Sequence, residues 1–181
     1  MTDPTAACDA ERAAFRFVAH GDVPSAEDVA AVLAFWTREG AIAEAAVREA
    51  RVREVVLHAR DAAGEVAGVC TARPLTLAQI GQPLYYWRTF VGARWRTTRL
   101  AYALLQRSFA LLEAQAATRQ PACIGVLLEL ENPRFRDRGR APVWRNGYVY
   151  VGRSPRGLEL RVRYFRGARL LPPTPASAPE R

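Results

Sequence analysis

Lysine is missing from this chain of 181 residues, and all 26 basic residues are arginine. Histidine is scarce, with only His20 and His58, and so is cysteine, with Cys8, Cys70 and Cys123. An odd and scattered set of cysteines favours reduced, buried thiols over a disulfide framework or a nucleophile. Two histidines without a metal-ligand spacing or a partnering pair of cysteines predict no zinc site.

Long apolar runs and glycine-rich nucleotide loops are also missing. No stretch is long and apolar enough to predict a membrane-spanning helix, and the opening Met-Thr-Asp-Pro-Thr does not resemble a secretion signal. We therefore expect a cytoplasmic protein without a membrane partner. No Walker, kinase or dinucleotide-binding motif occurs, which excludes a nucleotide site built on one of those motifs.

The charge that is present is unevenly distributed. The net charge is +8, but residues 1–66 hold 7 arginines against 12 acids, a net charge of −5, and residues 67–181 hold 19 arginines against 6 acids, a net charge of +13. The second part would attract an anionic cofactor, an acidic partner or nucleic acid. Codon bias also explains an excess of arginine over lysine, so both explanations stay open.

Hydrophobic periodicity and turn residues predict a mixed order of strands and helices. The predicted elements are, in order, strand 15–19, helices 25–40 and 42–52, strands 54–60, 65–73 and 85–91, a helix that follows the junction 92–98 and ends near residue 118, strand 124–131, a short helix within 132–146, and strands 148–153 and 158–165. Residues 61–64 predict a hairpin turn, and residues 74–83 predict a loop that could border a ligand pocket. We expect one domain over residues 13–167, between a flexible N-terminus (1–12) and a Pro-rich disordered tail (168–181).

The strand 85–91 leads through a short basic junction into the long helix, and the rest of the chain is organised around this stretch. The first amides of a helix have no acceptor within the helix, and the helix dipole adds partial positive charge there. Arg94, Arg96 and Arg99 would surround an anion at this point. The junction therefore predicts a phosphate-binding site.

The junction resembles the acyl-CoA-binding motif of the GNAT superfamily of N-acetyltransferases. That motif is a strand ending in Val, an Arg or Gln five residues later, and then two residues, Gly, any residue, and Gly or Ala. Val91, Arg96 and Ala101 match it, whereas Arg99 stands where the middle Gly is expected. That Gly lets backbone amides approach the pyrophosphate, so Arg99 either blocks the site or binds phosphate through its own guanidinium.

The order of elements over about residues 13–167 also resembles the GNAT fold. The segment 141–150 is similar to the family's Ala-x-x-x-Tyr-x-x-x-Gly-Phe ending, with Gly147-Tyr148 for Gly-Phe, and Asn132 stands where the family often has Asn. The resemblance implies an α/β (α+β) fold. It implies a mixed, mostly antiparallel sheet of about seven strands with helices on both faces.

The resemblance also implies where the cofactor lies. Phe90, Val91 and Gly92 would bind the thioester and the pantetheine arm through backbone groups. The pyrophosphate would be held by the amides and side chains that follow, together with a later asparagine; these residues are Arg96, Thr97, Thr98, Arg99, Leu100, Ala101 and Asn132. The alternative is a strand–helix junction that binds no ligand.

Transfer of an acyl group to an amine needs a base for the attacking nitrogen and an acid for the leaving thiolate. The glutamate that many GNAT enzymes have on the fourth strand is missing, so the candidate bases are Glu129 and Glu131, which alternation places on the same side of the fifth strand. Their alternative role is a salt bridge with the Arg-rich segment that follows. Val143 stands where the family usually has the Tyr that serves as the general acid. Tyr148 or Tyr150 is a candidate substitute, and the alternative is that both tyrosines only pack within a strand.

The resemblance implies an acyl-CoA-dependent N-acyltransferase, in the simplest case an N-acetyltransferase, in which an amine attacks the acyl group directly. Acetyl-CoA or another acyl-CoA would be the co-substrate, with no metal. The acceptor would be a small-molecule or peptide amine, and the arginines would favour an acidic one.

Two other functions stay open. Arg99 and the missing Tyr favour a catalytically degenerate GNAT-fold binding module. The net charge of +13 favours an acetyltransferase acting on an RNA-linked amine, although no specific RNA-binding motif occurs. A homodimer is also left open.

Overall fold

A computed structural model of the chain describes residues 15–21, 24–116, 123–132 and 140–172. The predicted N-terminal segment 1–12, most of the predicted tail 168–181, most of the short helix within 132–146 and the end of the long helix near residue 118 lie outside these residues. The described helices are α1 (Ala26–Arg38), α2 (Ala45–Val52) and α3 (Leu100–Gln115). The described strands are β1 (Arg16–Ala19), β2 (Val55–Arg60), β3 (Val66–Leu77), β4 (Gln82–Val91), β5 (Gly125–Glu129), β6 (Val149–Arg153) and β7 (Glu159–Tyr164).

The seven strands form one sheet in the order β1-β2-β3-β4-β5-β7-β6. The pairs β1–β2, β2–β3, β5–β7 and β6–β7 are antiparallel. The amide of Ile124, just before β5, donates to the carbonyl of Pro83 near the start of β4 at 3.0 Å. Both strands therefore begin at the same end of the sheet, as a crossover through α3 requires. The predicted mixed, mostly antiparallel sheet is confirmed.

Helices pack on both faces of the sheet. Trp87 and Phe90 lie three residues apart on β4, so their side chains point to opposite faces. The Trp87 indole donates to the hydroxyl of Ser108 on α3 at 2.8 Å. The Phe90 ring meets the ring of Phe35 on α1, edge to face, with centroids 5.9 Å apart. The helices α1 and α3 therefore lie on opposite faces.

Local signals fix where α1 begins and ends. The hydroxyl of Ser25 accepts a hydrogen bond from the amide of Asp28 at 3.1 Å, which caps the helix near its predicted start at residue 25. Gly40 has a φ of +63°, a conformation that glycine adopts without strain, and the chain turns there. The helix ends at Arg38, two residues before that glycine.

The loop predicted over residues 74–83 is wrong, because β3 continues to Leu77 and β4 already begins at Gln82. Pro74 suggested a break, since proline cannot donate a hydrogen bond to a neighbouring strand. The pairing of β2 with β3 stops at Thr71, so at Pro74 no β2 residue needs that donor. The two strands are joined by a short turn over residues 78–81, which leaves no long loop to border a ligand pocket.

The described residues group into two compact units. The first contains the described residues up to Arg73 together with Trp87–Ala114, and the second contains Pro74–Tyr86 and the described residues from Gln115 onward. Buried apolar side chains fill the first unit, among them Val32, Phe35, Leu57, Val69 and Leu104. The second unit has its own cluster, made of Leu77, Leu84, Ile124, Leu127, Leu160 and Val162. The single domain over residues 13–167 stays a prediction.

A largely buried polar network joins His20, just after β1, to β2 and α1 in the first unit. Arg60 Nε donates to His58 Nε2 at 3.2 Å, so His58 carries its hydrogen on Nδ1 and donates it to His20 Nε2 at 2.9 Å. Asp28 accepts from Arg60 at 3.0 Å and lies 3.4 Å from His58 Nε2. Burial lowers the pKa of both histidines, that of His58 to about 4. The network therefore holds neutral imidazoles.

Candidate functional site

The junction between β4 and α3 is an irregular turn and not a direct helix start. Gly92 leads into a single 3₁₀ turn over Ala93–Trp95, and α3 begins only at Leu100. The hydroxyl of Thr98 donates to the carbonyl of Trp95 at 2.7 Å and accepts from the amide of Leu100 at 3.2 Å. Of the predicted segment 96–101, residues 96–99 therefore precede α3, and only Leu100 and Ala101 lie in the first turn of the helix.

The start of α3 presents amides to an incoming ligand. The first hydrogen bond within the helix runs from the amide of Ala103 to the carbonyl of Arg99 at 3.0 Å. The amides of Ala101 and Tyr102 precede it, at positions where a helix offers no internal acceptor. They lie at the positive end of a helix of 16 residues, which favours a bound anion.

Three exposed arginines accompany these amides, and each guanidinium lies over an aromatic ring of the same segment. Arg94 lies 5.4 Å from the centroid of Trp95, and Arg99 lies 5.8 Å from that of Tyr102. Arg96 lies 5.4 Å from the centroid of the Phe90 ring. A guanidinium over a ring keeps its charge and its donors, so the junction is a strongly positive surface.

The backbone groups at the end of β4 already have partners inside the protein. The carbonyl of Val91 accepts from Arg96 Nε at 3.2 Å, and the amide of Gly92 donates to the carbonyl of Ala67 at 3.0 Å. The amide of Ala93 donates to a carboxylate oxygen of Glu39 at 2.9 Å. Val91 and Gly92, together with Phe90, were predicted to bind a thioester and its arm through backbone groups, whereas Ala93 was not.

The candidate bases lie in the second unit, where one arginine holds both. Arg156 Nη2 donates to Glu129 Oε2 at 2.8 Å and to Glu131 Oε1 at 2.7 Å, and Arg156 Nε reaches Glu129 Oε1 at 3.3 Å. The two glutamates therefore do lie on one side of β5 and its extension. The arginine that binds both comes from the turn between β6 and β7. Most of the Arg-rich segment lies outside the described residues, so a salt bridge with it stays a prediction.

Tyr86 completes this cluster, since its hydroxyl donates to Glu129 Oε2 at 2.5 Å. Burial works to raise the pKa of Glu129, but the hydrogen bonds from Arg156, Ser154 and Tyr86 outweigh it and lower the pKa to about 2. A carboxylate with so low a pKa is a weak base. Glu129 is thus suited to orient Tyr86 and Arg156.

Replacing Glu129 with glutamine is expected to lower the free energy of unfolding by about 2 kcal/mol, because an amide cannot replace the charge paired with Arg156. Glu131→Gln is the matched control, because the Glu131 side chain is 49% exposed and that of Glu129 is 8% exposed. We expect the control to change stability by less than about 0.5 kcal/mol. Urea denaturation at neutral pH measures the free energy of unfolding of both variants. Equal losses of stability would contradict the assignment of Glu129 as the carboxylate that holds Arg156 and Tyr86 in place.

The remaining predicted residues of the second unit lie in different surroundings. Tyr148 is completely buried, its ring centroid lies 6.4 Å from that of Trp144, and burial raises the pKa of its hydroxyl. Val143, at the position of the family's Tyr, is exposed and forms a backbone bridge with Val149. Asn132 is exposed just after β5. The roles of Tyr148 and Asn132 stay predictions.

Both described cysteines are buried thiols. Burial raises the pKa of Cys70 to about 12 and that of Cys123 to about 11, so neither is a thiolate at neutral pH. This agrees with their predicted role as small apolar side chains, and Cys8 lies outside the described residues. In the described part of the chain, no group of three or more His, Cys, Asp or Glu side chains could hold a metal ion.

Sequence reasoning missed three residues of these clusters, namely Glu39, Tyr86 and Arg156. Glu39 follows the last residue of α1 and is separated from Ala93 by 54 positions. Tyr86 sits in an aromatic run that is typical of any strand, and Arg156 in an ordinary Ser-Pro-Arg-Gly turn. A charged residue beside a helix-ending glycine was the only available signal for Glu39.

No protein-family model and no curated protein sequence matches the chain. Solved structures do match its fold. NAA60 of Arabidopsis thaliana, solved in complex with acetyl-CoA, is 16% identical with a TM-score of 0.52, over 83% of this chain and 99% of that chain. A GNAT-family acetyltransferase of Listeria monocytogenes is 15% identical with a TM-score of 0.51, over 83% of this chain and 95% of that chain.

A third match is the ribosomal-protein-S18-alanine N-acetyltransferase of Escherichia coli, which is 11% identical with a TM-score of 0.52, over 83% of this chain and 94% of that chain. Identities this low show the fold alone. The chain therefore has the fold of GNAT acetyltransferases, as its motifs and order of elements predict. None of the described helices has the length and apolar character needed to cross a bilayer.

Proposed function

We propose, from the fold that the chain shares with GNAT acetyltransferases, that it is an acyl-CoA-dependent N-acyltransferase, and in the simplest case an N-acetyltransferase. The observation that carries the proposal is the junction after β4, where the exposed Arg94, Arg96 and Arg99 precede the first amides of α3 in the chain. Such a surface fits the pyrophosphate of CoA. A structural neighbour, NAA60, was solved with acetyl-CoA, which supports the same ligand.

The proposed reaction is a direct transfer. The nitrogen of the acceptor amine attacks the thioester carbonyl, the new C–N bond forms, and the C–S bond breaks. The nitrogen loses its proton to a base, and the departing CoA thiolate takes up a proton. We assign the proton transfers to the candidates Glu129, Glu131 and Tyr148; of the two carboxylates, Glu131 is the one to test first as base, because the hydrogen bonds on Glu129 lower its pKa to about 2.

The acceptor is proposed to be an amine of a small molecule or a peptide. The Escherichia coli neighbour is named as an N-acetyltransferase of an alanine of ribosomal protein S18. This name supports a peptide amine among the first acceptors to test. The excess of arginine after residue 66 favours an acidic acceptor. An RNA-linked amine stays an alternative on the same charge argument.

Calorimetric titration with acetyl-CoA and with a longer acyl-CoA tests the proposal. We expect both to bind, and Arg96→Ala to weaken binding about tenfold, since a charge-assisted hydrogen bond to phosphate is lost. Arg53→Ala is the matched control, because Arg53 is exposed in the same unit just after α2. Equal losses in both variants would show only a general charge effect, and the absence of binding by the unchanged protein would overturn the proposal.

The second candidate is a GNAT-fold binding module without catalysis. Specific observations favour it. Arg99 replaces the motif's Gly, and Val143 replaces the Tyr that serves the family as general acid. Tyr148 is buried, and burial raises the pKa of its hydroxyl. Failure to bind any acyl-CoA would support this module. Thiol release from acetyl-CoA in the presence of a mixture of peptide amines would exclude it.

A further inference from the structure

The end of β4 is closed by two side chains of opposite charge. Arg96 folds back so that its Nε donates to the carbonyl of Val91 at 3.2 Å, and its guanidinium covers the Phe90 ring. Glu39 accepts from the amide of Ala93, two residues after Val91, at 2.9 Å. Between these contacts, a side chain at Gly92 would collide with the Trp95 ring at 2.8 Å and approach the Glu39 carboxyl carbon at 3.1 Å. The strand end is therefore covered.

We propose that Arg96 and Glu39 form a latch that a ligand opens through its phosphates. The inference rests on the proposed acyl-CoA site and concerns how that site is reached. In the closed state the Val91 carbonyl and the Ala93 amide are occupied by the latch. In the open state Arg96 binds the pyrophosphate, and the carbonyl of Val91 accepts an amide hydrogen of the pantetheine arm.

The exchange of partners by Arg96 has a physical reason. A hydrogen bond between a guanidinium and a phosphate is stronger than one between a guanidinium and a neutral carbonyl. A phosphate therefore draws Arg96 away from Val91, whereas pantetheine alone has no such group and must compete with Arg96 for the carbonyl. The latch thus makes the full CoA molecule a much better ligand than its arm.

Glu39 acts in the opposite sense on the same ligand. Its carboxylate adds a negative charge beside the path of an anionic ligand, and it holds the Ala93 amide. Its backbone is fixed, because its amide donates to the carbonyls of Phe35 and Thr37 at the end of α1. Removing the charge of Glu39 therefore favours the anion.

Two probes, CoA and pantetheine, separate the latch from a simple phosphate site. Arg96→Ala is expected to weaken CoA binding about tenfold but to tighten pantetheine binding about threefold, because the carbonyl of Val91 becomes available. Glu39→Gln is expected to tighten CoA binding about threefold to tenfold by removing repulsion at a partly exposed site. Calorimetry follows CoA, and chemical-shift titration follows the weaker pantetheine.

The controls are Arg53→Ala and Glu65→Gln, which remove the same charges at exposed positions of the same unit. We expect Arg53→Ala to change the affinities for CoA and pantetheine, and Glu65→Gln the affinity for CoA, by no more than about twofold. The latch is overturned if CoA binds but Arg96→Ala weakens pantetheine binding or leaves it unchanged, or if Glu39→Gln does not tighten CoA binding. If CoA binds to none of the folded variants nor to the unchanged protein, the proposed function itself fails, so the two failures are distinguishable.

Discussion

Alanine in place of Gly125 is expected to lower the free energy of unfolding by about 3 kcal/mol or more, because the added methyl group meets backbone and not a movable side chain. Gly125 pairs with Tyr164 in the antiparallel ladder between β5 and β7. A Cβ atom there would lie 2.9 Å from the Cα of Tyr164 and closer still to the carbonyl oxygen of Arg163. Relief of the clash requires the two strands to separate.

The consequence extends to the candidate site. The pairing of β5 with β7 brings the turn that carries Arg156 to Glu129, so a shift at Gly125 should also loosen the cluster around Tyr86. Thermal and urea unfolding measure the loss. Gly21→Ala is the matched control, since the added methyl group would meet no described heavy atom within 4 Å and we expect a change below about 0.5 kcal/mol. Similar stability for the two variants would contradict the register.

The sequence predicted most elements of this fold, because their signals are local. The turn over residues 61–64 and the alternation around it predicted the β2–β3 hairpin, and helical periodicity predicted a helix over residues 25–40, close to the bounds of α1. The extension of β3 past Pro74 could not be predicted, because it depends on where β2 begins, at Val55 opposite Thr71. A strand tolerates a proline where no facing residue needs an amide hydrogen from that position. Which residue faces the proline depends on the pairing of distant strands and not on the local sequence.

The candidate site was predictable only where a motif is contiguous. The spacing of Val91, Arg96 and Ala101 identified the junction, but the contact of Glu39 with Ala93 joins residues 54 positions apart. Likewise, alternation placed Glu129 and Glu131 on one side, and only the fold shows that Arg156 binds both. Side-chain partners that come from distant segments carry no sequence pattern, so the chemistry of the two carboxylates could not be assigned beforehand.

Acidification from about pH 7.5 to about pH 5 is expected to lower the free energy of unfolding by about 2 kcal/mol through His58 alone. Its pKa falls from 6.5 to about 4 in the folded protein, first because of burial and then because of the neighbouring His20, an effect that Asp28 opposes and that Arg60 and Arg16 reinforce. Between these two pKa values the unfolded chain binds more protons than the folded chain. Stability is therefore complete above about pH 6.5 and falls as the pH drops toward 4.

Denaturant titrations at several pH values test this with His58→Leu, which replaces the titrating imidazole with an apolar side chain. The variant should be less stable at neutral pH, because Arg60 and His20 lose a partner, but its stability should be flatter between about pH 7.5 and about pH 5. Asp28 and Glu129 do not confuse the comparison, since both have lowered pKa values and titrate below this window. A His58→Leu profile as steep as that of the unchanged protein would mean that another group drives the loss. His20, whose pKa burial also lowers, would then be the residue to replace next.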